Sequence, residues 1–390
     1  MKLAEATPNI DGESSPRRLK VAVYAIAKNE EQHVQRFMSS VEAADVVTVA
    51  DTGSTDATVA VLKSAGASVH EIHISPWRFD DARNAALALV PADVDVCISL
   101  DLDEILVSGW REALERAWQN GTTRMRYRFV ASWTADGQPG TVFWNERVHA
   151  RQGYRWQMPV HEAILWCGEG TESVISADEF EAHHHPDKQK SRANYLPLLQ
   201  RAVAEAPNDP RPAHYLGREY FYWKQYREAI KELQRHLNLV GATWAPQRAE
   251  ACRLLGKCFD ALDLPDDALR WFWKATLERP EQREPWVDLS RALYRQRDFS
   301  GGYFAAHRAL TITERATDYF SEPEAWGALP DDLLSVCAWE MGMAEQAATH
   351  AEAAARLAPD DERIQANWQF FQNRQTSEPS AQANDAQVLT

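Results

Sequence analysis

Short apolar segments alternate with helical segments of about ten residues over the first hundred residues of the chain. The apolar segments 19–27, 46–50, 69–74 and 94–100 are interpreted as strands. Helices that connect successive strands carry the chain back across the sheet, so this alternation predicts parallel pairing. The sequence therefore predicts an α/β sheet domain of the nucleotide-binding type.

Polar residues follow the first, second and fourth strands at the point where each strand ends. They occupy positions 28–31, 51–56 and 101–104. Ligands of open α/β sheets bind at the carboxyl ends of the strands, where these positions meet. In an extended chain Asp101 and Asp103 lie on the same side, and a divalent cation with bound phosphates resolves their repulsion. The alternative is a pair of solvated loop acids.

Composition and charge limit the classes of protein. The chain has 390 residues, which is enough for two or three domains, and its net charge is −15. That charge argues against passive binding to nucleic acid or to an anionic membrane. No apolar run approaches the roughly 20 residues of a membrane span. Five scattered cysteines without close pairing indicate reduced thiols, so we expect a cytoplasmic protein.

The composition changes near Lys188, after which the sequence is helical and repetitive. Leu-Gly or Leu-Ser pairs begin at residues 216, 255, 289 and 334, and a small residue follows twelve positions after each pair. The pairs are 39, 34 and 45 residues apart. A period near 34 with small residues at helix crossings is the tetratricopeptide pattern, and the longer gaps are interpreted as insertions, the clearest over 316–330. About four repeats fit, with 191–205 as a capping helix. A generic helical bundle is the alternative.

Four segments follow from these patterns. We expect a disordered leader over 1–18, a catalytic sheet domain over 19–190, a tetratricopeptide-repeat helical domain over 191–373, and a disordered tail over 374–390. The boundary near residue 190 is set by the change in composition alone.

The polar motifs together resemble those of a known family. They lie at 27–31, 49–58, 77–84 and 100–104. In this order and spacing they resemble the family 2 glycosyltransferases, and the resemblance extends over about 20–190. The segments 145–147, 155–156 and 159–162 resemble the subgroup with tetratricopeptide repeats after the catalytic domain. The resemblance implies an α/β GT-A domain, Rossmann-like, followed by an all-α repeat domain. It also implies transfer, with inversion, of a sugar from a nucleoside-diphosphate sugar, most often UDP-linked.

The resemblance also implies roles for single residues in binding the donor. Asp51 would face the nucleotide, and Arg83 would hold the diphosphate or the carboxylates. Asp101 would contact the ribose, or a metal through water. The implied donor-binding set is Asn29, Glu30, Asp51, Arg83, Asp101 and Arg147.

The cofactor expected with such a donor is Mn²⁺ or Mg²⁺, both of which accept oxygen ligands. We expect Asp103 to ligate the metal directly. Asp101 and His184, one of three adjacent histidines, are the other expected metal residues. Glu104 is a further candidate that the resemblance does not require.

Inverting transfer needs a base that takes the proton from the acceptor. Glu162 is our first candidate, ahead of His161 and Glu146. His161 has an alternative role in the metal shell. A purely structural His-Glu hydrogen bond is the alternative for both neighbouring residues.

The sequence leaves the acceptor open among a peptide side chain, a glycan and a hydroxylated or hydroxymethylated DNA base. A cluster of arginines near the expected acceptor side keeps the nucleic-acid acceptor in consideration. The repeats would dock the acceptor or join copies of the chain in a homo-oligomer. The alternative function is a non-catalytic repeat scaffold with a degenerate nucleotide-binding domain. A nucleotidyltransferase is disfavoured, because residues 28–31 are not a Gly- and Lys-rich phosphate loop.

Overall fold

The computed structural model describes residues 18–133, 137–186, 195–316 and 321–375. The predicted leader and tail lie outside these ranges except at their edges, and so does the predicted domain junction near residue 190. Within the described residues, no helix has both the length and the apolar character that a membrane crossing requires.

The described part of the first domain contains ten strands. They are β1 Val21–Ala27, β2 Val46–Asp51, β3 Ser68–Glu71, β4 Val96–Ser99, β5 Glu104–Leu106, β6 Arg124–Val130, β7 Val142–Ala150, β8 Tyr154–Gln157, β9 Ala163–Trp166 and β10 Val174–His184. Eight of them make one sheet in the order β3-β2-β1-β4-β7-β6-β10-β5, and β8 pairs with β9 in a separate hairpin. The half from β3 to β4 is parallel, as predicted, whereas β7 runs antiparallel to both β4 and β6.

Helices cover both faces of the sheet. They are α1 Glu31–Ser40, α2 Thr58–Ser64, α3 Phe79–Leu89 and α4 Trp110–Ala117. On one face, the first core packs α1, α2 and α4 against buried strand residues such as Val23 and Ile98. On the other face, α3 and the β8–β9 hairpin enclose a second core around Tyr24 and Trp156. The second core ends directly beneath the carboxyl ends of the central strands.

The second domain is a succession of paired helices. They are α5 Tyr195–Glu205, α6 Pro210–Tyr222, α7 Tyr226–Asn238, α8 Ala245–Ala261, α9 Pro265–Glu278, α10 Arg283–Arg295, α11 Phe299–Leu310, α12 Pro323–Trp326, α13 Leu329–Glu340, α14 Ala344–Leu357 and α15 Glu362–Gln375. Four helix pairs pack in sequence: α6 with α7, α8 with α9, α10 with α11, and α13 with α14. The short helix α12 lies in the insertion that the sequence indicated before α13. The predicted architecture, an α/β domain followed by helical repeats, is confirmed.

The glycines of the repeat pattern lie where the helices of a pair cross. A Cβ atom built on Gly217 would lie 2.6 Å from a side-chain carbon of Leu233. One built on Gly256 would lie 2.5 Å from Phe272, whose ring is buried. These contacts leave no room for a side chain, so the small residue sets the approach of the two helices.

Replacing Gly256 with valine is therefore expected to destabilise the helical domain by about 1–3 kcal/mol, the usual cost of overpacking a core. Valine gains little helix propensity over glycine that could offset this cost. The matched control is Lys231→Val, which places the same side chain on an exposed position of α7. Chemical denaturation of the three proteins measures the difference, and equal stability of Gly256→Val and wild type would contradict the packing argument.

Candidate functional site

The carboxyl ends of the central parallel strands lie side by side. Ala27 at the end of β1 pairs with Asp51 at the end of β2, and Tyr24 pairs with Ser99 of β4. A cavity of ≈ 1900 Å³ lies beyond this edge, between the sheet domain and the helical domain. Of the residues predicted for the site, the following line the cavity: Glu30, Arg83, Asp101, Asp103, Glu146, Arg147, His161, Glu162 and His184.

Arg83 of α3 joins two of these carboxylates. Its Nε donates to Glu162 Oε1 at 2.5 Å, and its Nη2 donates to Asp101 Oδ1 at 2.8 Å. The side chain is only 7% exposed and its guanidinium lies 5.1 Å from the Trp156 ring centroid. Burial alone would lower the pKa of Arg83, but Asp101 and Glu162 outweigh burial and raise it. Its buried Nη1 has no hydrogen-bond partner among the described residues.

Arg147 of β7 approaches the same carboxylate from the other side. Its Nη1 lies 3.4 Å from Asp101 Oδ2, and its Nη2 donates to the buried Glu104. Its guanidinium also lies over the ring of Phe129. Burial raises the pKa of Glu104, while the charge of Arg147 opposes that shift. Glu104 therefore anchors Arg147, a role that the sequence did not indicate.

The stretch from Asp101 to Glu104 is a turn, which corrects the extended conformation expected for it. The Glu104 N–H donates to the Asp101 carbonyl at 3.0 Å, and Glu104 Oε2 accepts from the Asp101 N–H at 2.9 Å. Side-chain alternation does not apply in a turn. Asp101 consequently contacts the two arginines, whereas Asp103 lies beside His184.

Asp103 and His184 form the remaining polar pair. His184 Nε2 lies 3.5 Å from Asp103 Oδ2, and its Nδ1 donates to the Ala131 carbonyl at 3.3 Å. Burial would lower the pKa of His184, but the hydrogen bond to Asp103 and its charge raise it. The rings of His183 and His185 both pack against Trp133.

The fit of these side chains to a metal ion depends on the number and type of ligand atoms that they bring together. Within the described ranges, no group of three or more His, Cys, Asp or Glu side chains could hold a metal. Asp103 and His184 supply one carboxylate and one imidazole whose other nitrogen is held by a carbonyl, an arrangement common among metal ligands. Mg²⁺ usually takes one or two protein carboxylates and completes its shell with water and substrate phosphates. The pair therefore fits a cation that is shared with a phosphate substrate.

Asn29 and Asp51 form the loops beside the cavity instead of lining it. Asp51 is 2% exposed, and its Oδ2 accepts from the backbone N–H groups of Gly53 and Ser54. Asn29 Oδ1 accepts from the Thr55 N–H at 2.7 Å. Both side chains thus hold the turn after β2, and their contact with a nucleoside stays a prediction.

The three candidate bases have different surroundings. Glu146 is held by two arginines, Arg124 at 2.9 Å and Arg126 at 2.6 Å. Glu162 is bound through one oxygen to Arg83. The ring of His161 stacks on Tyr215 of α6, with ring centroids 4.3 Å apart. Sequence reasoning missed Tyr215, because a tyrosine in an amphipathic helix has the pattern of an ordinary packing residue.

Comparison with known proteins relates the sheet domain to a known family. A family model described as glycosyl transferase family 2 matches residues 22–160. A TPR repeat-containing protein of Synechococcus elongatus is 28% identical over 148 residues, which cover 37% of this chain and 35% of that protein. The chain thus spans about a third of the length of this curated relative.

Solved structures of repeat proteins are similar to part of the chain. YrrB, described as a TPR protein with an unusual peptide-binding site, is 15% identical with a TM-score of 0.38, over 45% of this chain and 83% of that one. A MamA crystal structure is 14% identical with a TM-score of 0.36, over 43% and 82%. At these identities the likeness concerns the fold alone. Residues 22–160 thus match glycosyl transferase family 2, and a helical repeat domain follows them in the same chain.

Proposed function

We propose that this protein is a metal-dependent, inverting glycosyltransferase that moves a sugar from a nucleoside-diphosphate sugar, UDP-linked by preference, to an acceptor. The observation that carries the proposal is Arg83, which lines the cavity and whose buried Nη1 has no hydrogen-bond partner in the part of the chain that the structure describes. A buried unsatisfied donor is costly, and an anionic oxygen of a bound diphosphate would satisfy it.

The balance of charge supports a divalent cation. We name as the charged corner the residues Arg83, Asp101, Asp103, Glu104, Arg147 and Glu162. Four carboxylates and two guanidinium groups give this corner a formal charge of −2, which repels a diphosphate. Mn²⁺ or Mg²⁺ held by Asp103 and His184 would offset this charge. The metal would supply electrostatic stabilisation of the leaving nucleoside diphosphate.

The arginines hold the donor in this proposal. Arg83 is fixed on both sides by carboxylates and by the Trp156 ring, so its free donor nitrogen has a defined direction. Arg147 is fixed by Glu104 and lies across the same Asp101. Preorganised donors of this kind stabilise the charge that develops on the leaving group without further rearrangement.

Glu162 is the proposed base for the acceptor proton. It lines the cavity with its side chain 11% exposed, and Arg83 binds only its Oε1. Its Oε2 therefore stays available to an acceptor hydroxyl or thiol. Glu146 is less suited, because two arginines engage its two oxygens.

The acceptor is proposed to enter along the helical wall of the cavity. The volume of ≈ 1900 Å³ exceeds the 300–1000 Å³ that is usual for a small-molecule site, so the cavity has room for more than the donor. Tyr222 and Trp244, which are 52% and 48% exposed, extend this wall along α6 and α8. A peptide side chain, a glycan and a modified DNA base remain the acceptor classes. We place the activity in the cytoplasm, in keeping with five unpaired cysteines.

The test is hydrolysis of a panel of UDP-, GDP- and dTDP-sugars by the full-length protein with Mn²⁺, Mg²⁺ or EDTA. We expect metal-dependent release of a nucleoside diphosphate from at least one donor. We also expect isothermal titration calorimetry to detect binding of that donor. If no sugar nucleotide is bound or cleaved with either metal, the charged corner is an ion-pair network of a non-catalytic repeat scaffold.

A further inference from the structure

The segment that carries Glu162 has an unusual backbone. It runs from the end of β8 at Gln157 to the start of β9 at Ala163. Two of its residues that are not glycine have positive φ angles, Met158 at 83° and His161 at 51°. Such conformations cost on the order of 1–3 kcal/mol each and persist only where the surrounding structure imposes them. Contacts from elsewhere in the molecule must therefore hold this segment.

The helical domain supplies most of those contacts. Tyr215 of α6 stacks on the His161 ring at 4.3 Å with an interplanar angle of 24°, and Tyr195 of α5 packs against its edge at 5.6 Å. Arg211 Nη2 donates to the His161 carbonyl at 3.1 Å. The neighbouring Val160 is buried among Leu198, Leu199 and Leu216 of α5 and α6.

Tyr215 is itself held in place. The guanidinium carbons of Arg218 and Arg211 lie 4.7 and 5.7 Å from its ring centroid. The other end of the segment is fixed from the sheet domain, where the Phe79 N–H donates to the Pro159 carbonyl at 2.9 Å. The segment is thus clamped between α3 of one domain and α6 of the other.

Glu162 follows His161 directly and binds Arg83. We infer that Tyr215 and Arg211 of α6 are positioning residues that fix the backbone at His161 and thereby aim the Glu162 carboxylate. The first repeat helix then belongs to the catalytic apparatus in addition to any role in docking. The expected effect on kcat rests on the proposed function, whereas the expected effect on the backbone of the segment that carries Glu162 does not.

The test compares Tyr215→Ala with Tyr215→Phe in the full-length protein. A displacement of about 1 Å at a reacting group costs on the order of 100-fold in rate. We therefore expect Tyr215→Ala to lower kcat for transfer or donor hydrolysis by about 10–100-fold, with the donor KM changed less than about threefold. Tyr215→Phe keeps the ring that stacks on His161, so its kcat is expected to be close to that of the wild type. Phe221→Ala is the matched control, because Phe221 lies on the same helix and packs into the core between α7 and α8 instead of against the segment that carries His161.

Hydrogen exchange separates this inference from the proposed function. The amides of residues 158 and 160–163 should exchange at least about tenfold faster in Tyr215→Ala than in wild type, Tyr215→Phe or Phe221→Ala. Faster exchange without any turnover by the wild type would refute the glycosyltransferase but keep the clamp. Unchanged exchange in Tyr215→Ala, or a kcat that falls equally in Phe221→Ala, would overturn the clamp.

Discussion

Replacing Arg83 with methionine is expected to lower sugar-nucleotide turnover by at least about 100-fold and the free energy of unfolding by about 3–5 kcal/mol. Methionine fills the unbranched part of the side chain as far as Nε but removes the cation between Asp101 and Glu162. The nearly buried Glu162 then loses its guanidinium, and Asp101 loses one of its two arginines. Breaking a buried ion pair from one side carries a destabilisation of this size. Loss of one preorganised donor to a developing anion costs 100- to 1000-fold in comparable sites.

Two further variants isolate the role of Arg83. Arg78→Met is the matched control: Arg78 precedes the same helix and pairs with Asp80 and Glu205 outside the large cavity. It should lose some stability and keep its turnover. Arg83→Lys keeps the charge but not the fork that joins two carboxylates, so an intermediate turnover is expected. Turnover is measured well below the melting temperature of each variant. Full activity of Arg83→Met would contradict the proposal that Arg83 binds the diphosphate.

The strands of the parallel half could be predicted because their chemistry is local. β1 is an unbroken apolar run and β4 is apolar except for its last residue, Ser99, and burial on both faces of a parallel strand requires such runs. The sequence pattern did not predict β10, because its evidence is not local. Of its eleven residues only Ala177, Phe180 and Ala182 are buried, and acidic and histidine residues interrupt the pattern. Its place in the sheet depends on pairing with β6 and β5, which lie far away in the sequence.

In the site, too, residues that lie in local motifs could be predicted, whereas contacts between residues far apart in the sequence could not. The sequence indicated that Arg83, Asp101 and Glu162 belong to one site, because each lies in a motif. It did not indicate that one guanidinium would join two carboxylates 18 and 79 residues away. Nor did it indicate the turn at Asp101, since nothing in Asp-Leu-Asp-Glu demands it until Glu104 is anchored by Arg147.

The role of the helical domain was the least predictable part of the site. Repeat helices are recognised by small residues at their crossings, as at Gly217 and Gly256, and these positions concern packing within the domain. The contact of Tyr215 with His161 depends on how the two domains meet. Positive φ at His161 had only a weak sequence signal, because histidine is enriched at such positions but most histidines have negative φ angles.

Replacing Asp103 with asparagine tests the other half of the charged corner. Asparagine keeps the shape of the side chain but removes the charged oxygen ligand, so we expect metal-dependent affinity for UDP to fall on the order of 100-fold, and turnover with it. The stability of the fold should change little. The matched control is Asp178→Asn, an exposed position on β10, the strand that also carries His184.

The readout is calorimetric titration of UDP in Mn²⁺, in Mg²⁺ and in EDTA, which detects the metal contribution without requiring turnover. His184→Gln distinguishes two explanations for Asp103, because its Nε2 lies 3.5 Å from the Asp103 carboxylate. If both residues ligate the cation, each substitution alone should lower the metal-dependent affinity. If Asp103 serves only to hold His184, the double variant should be no weaker than His184→Gln. Unchanged metal-dependent binding in Asp103→Asn would show that the cation, if the reaction needs one, is held by other groups.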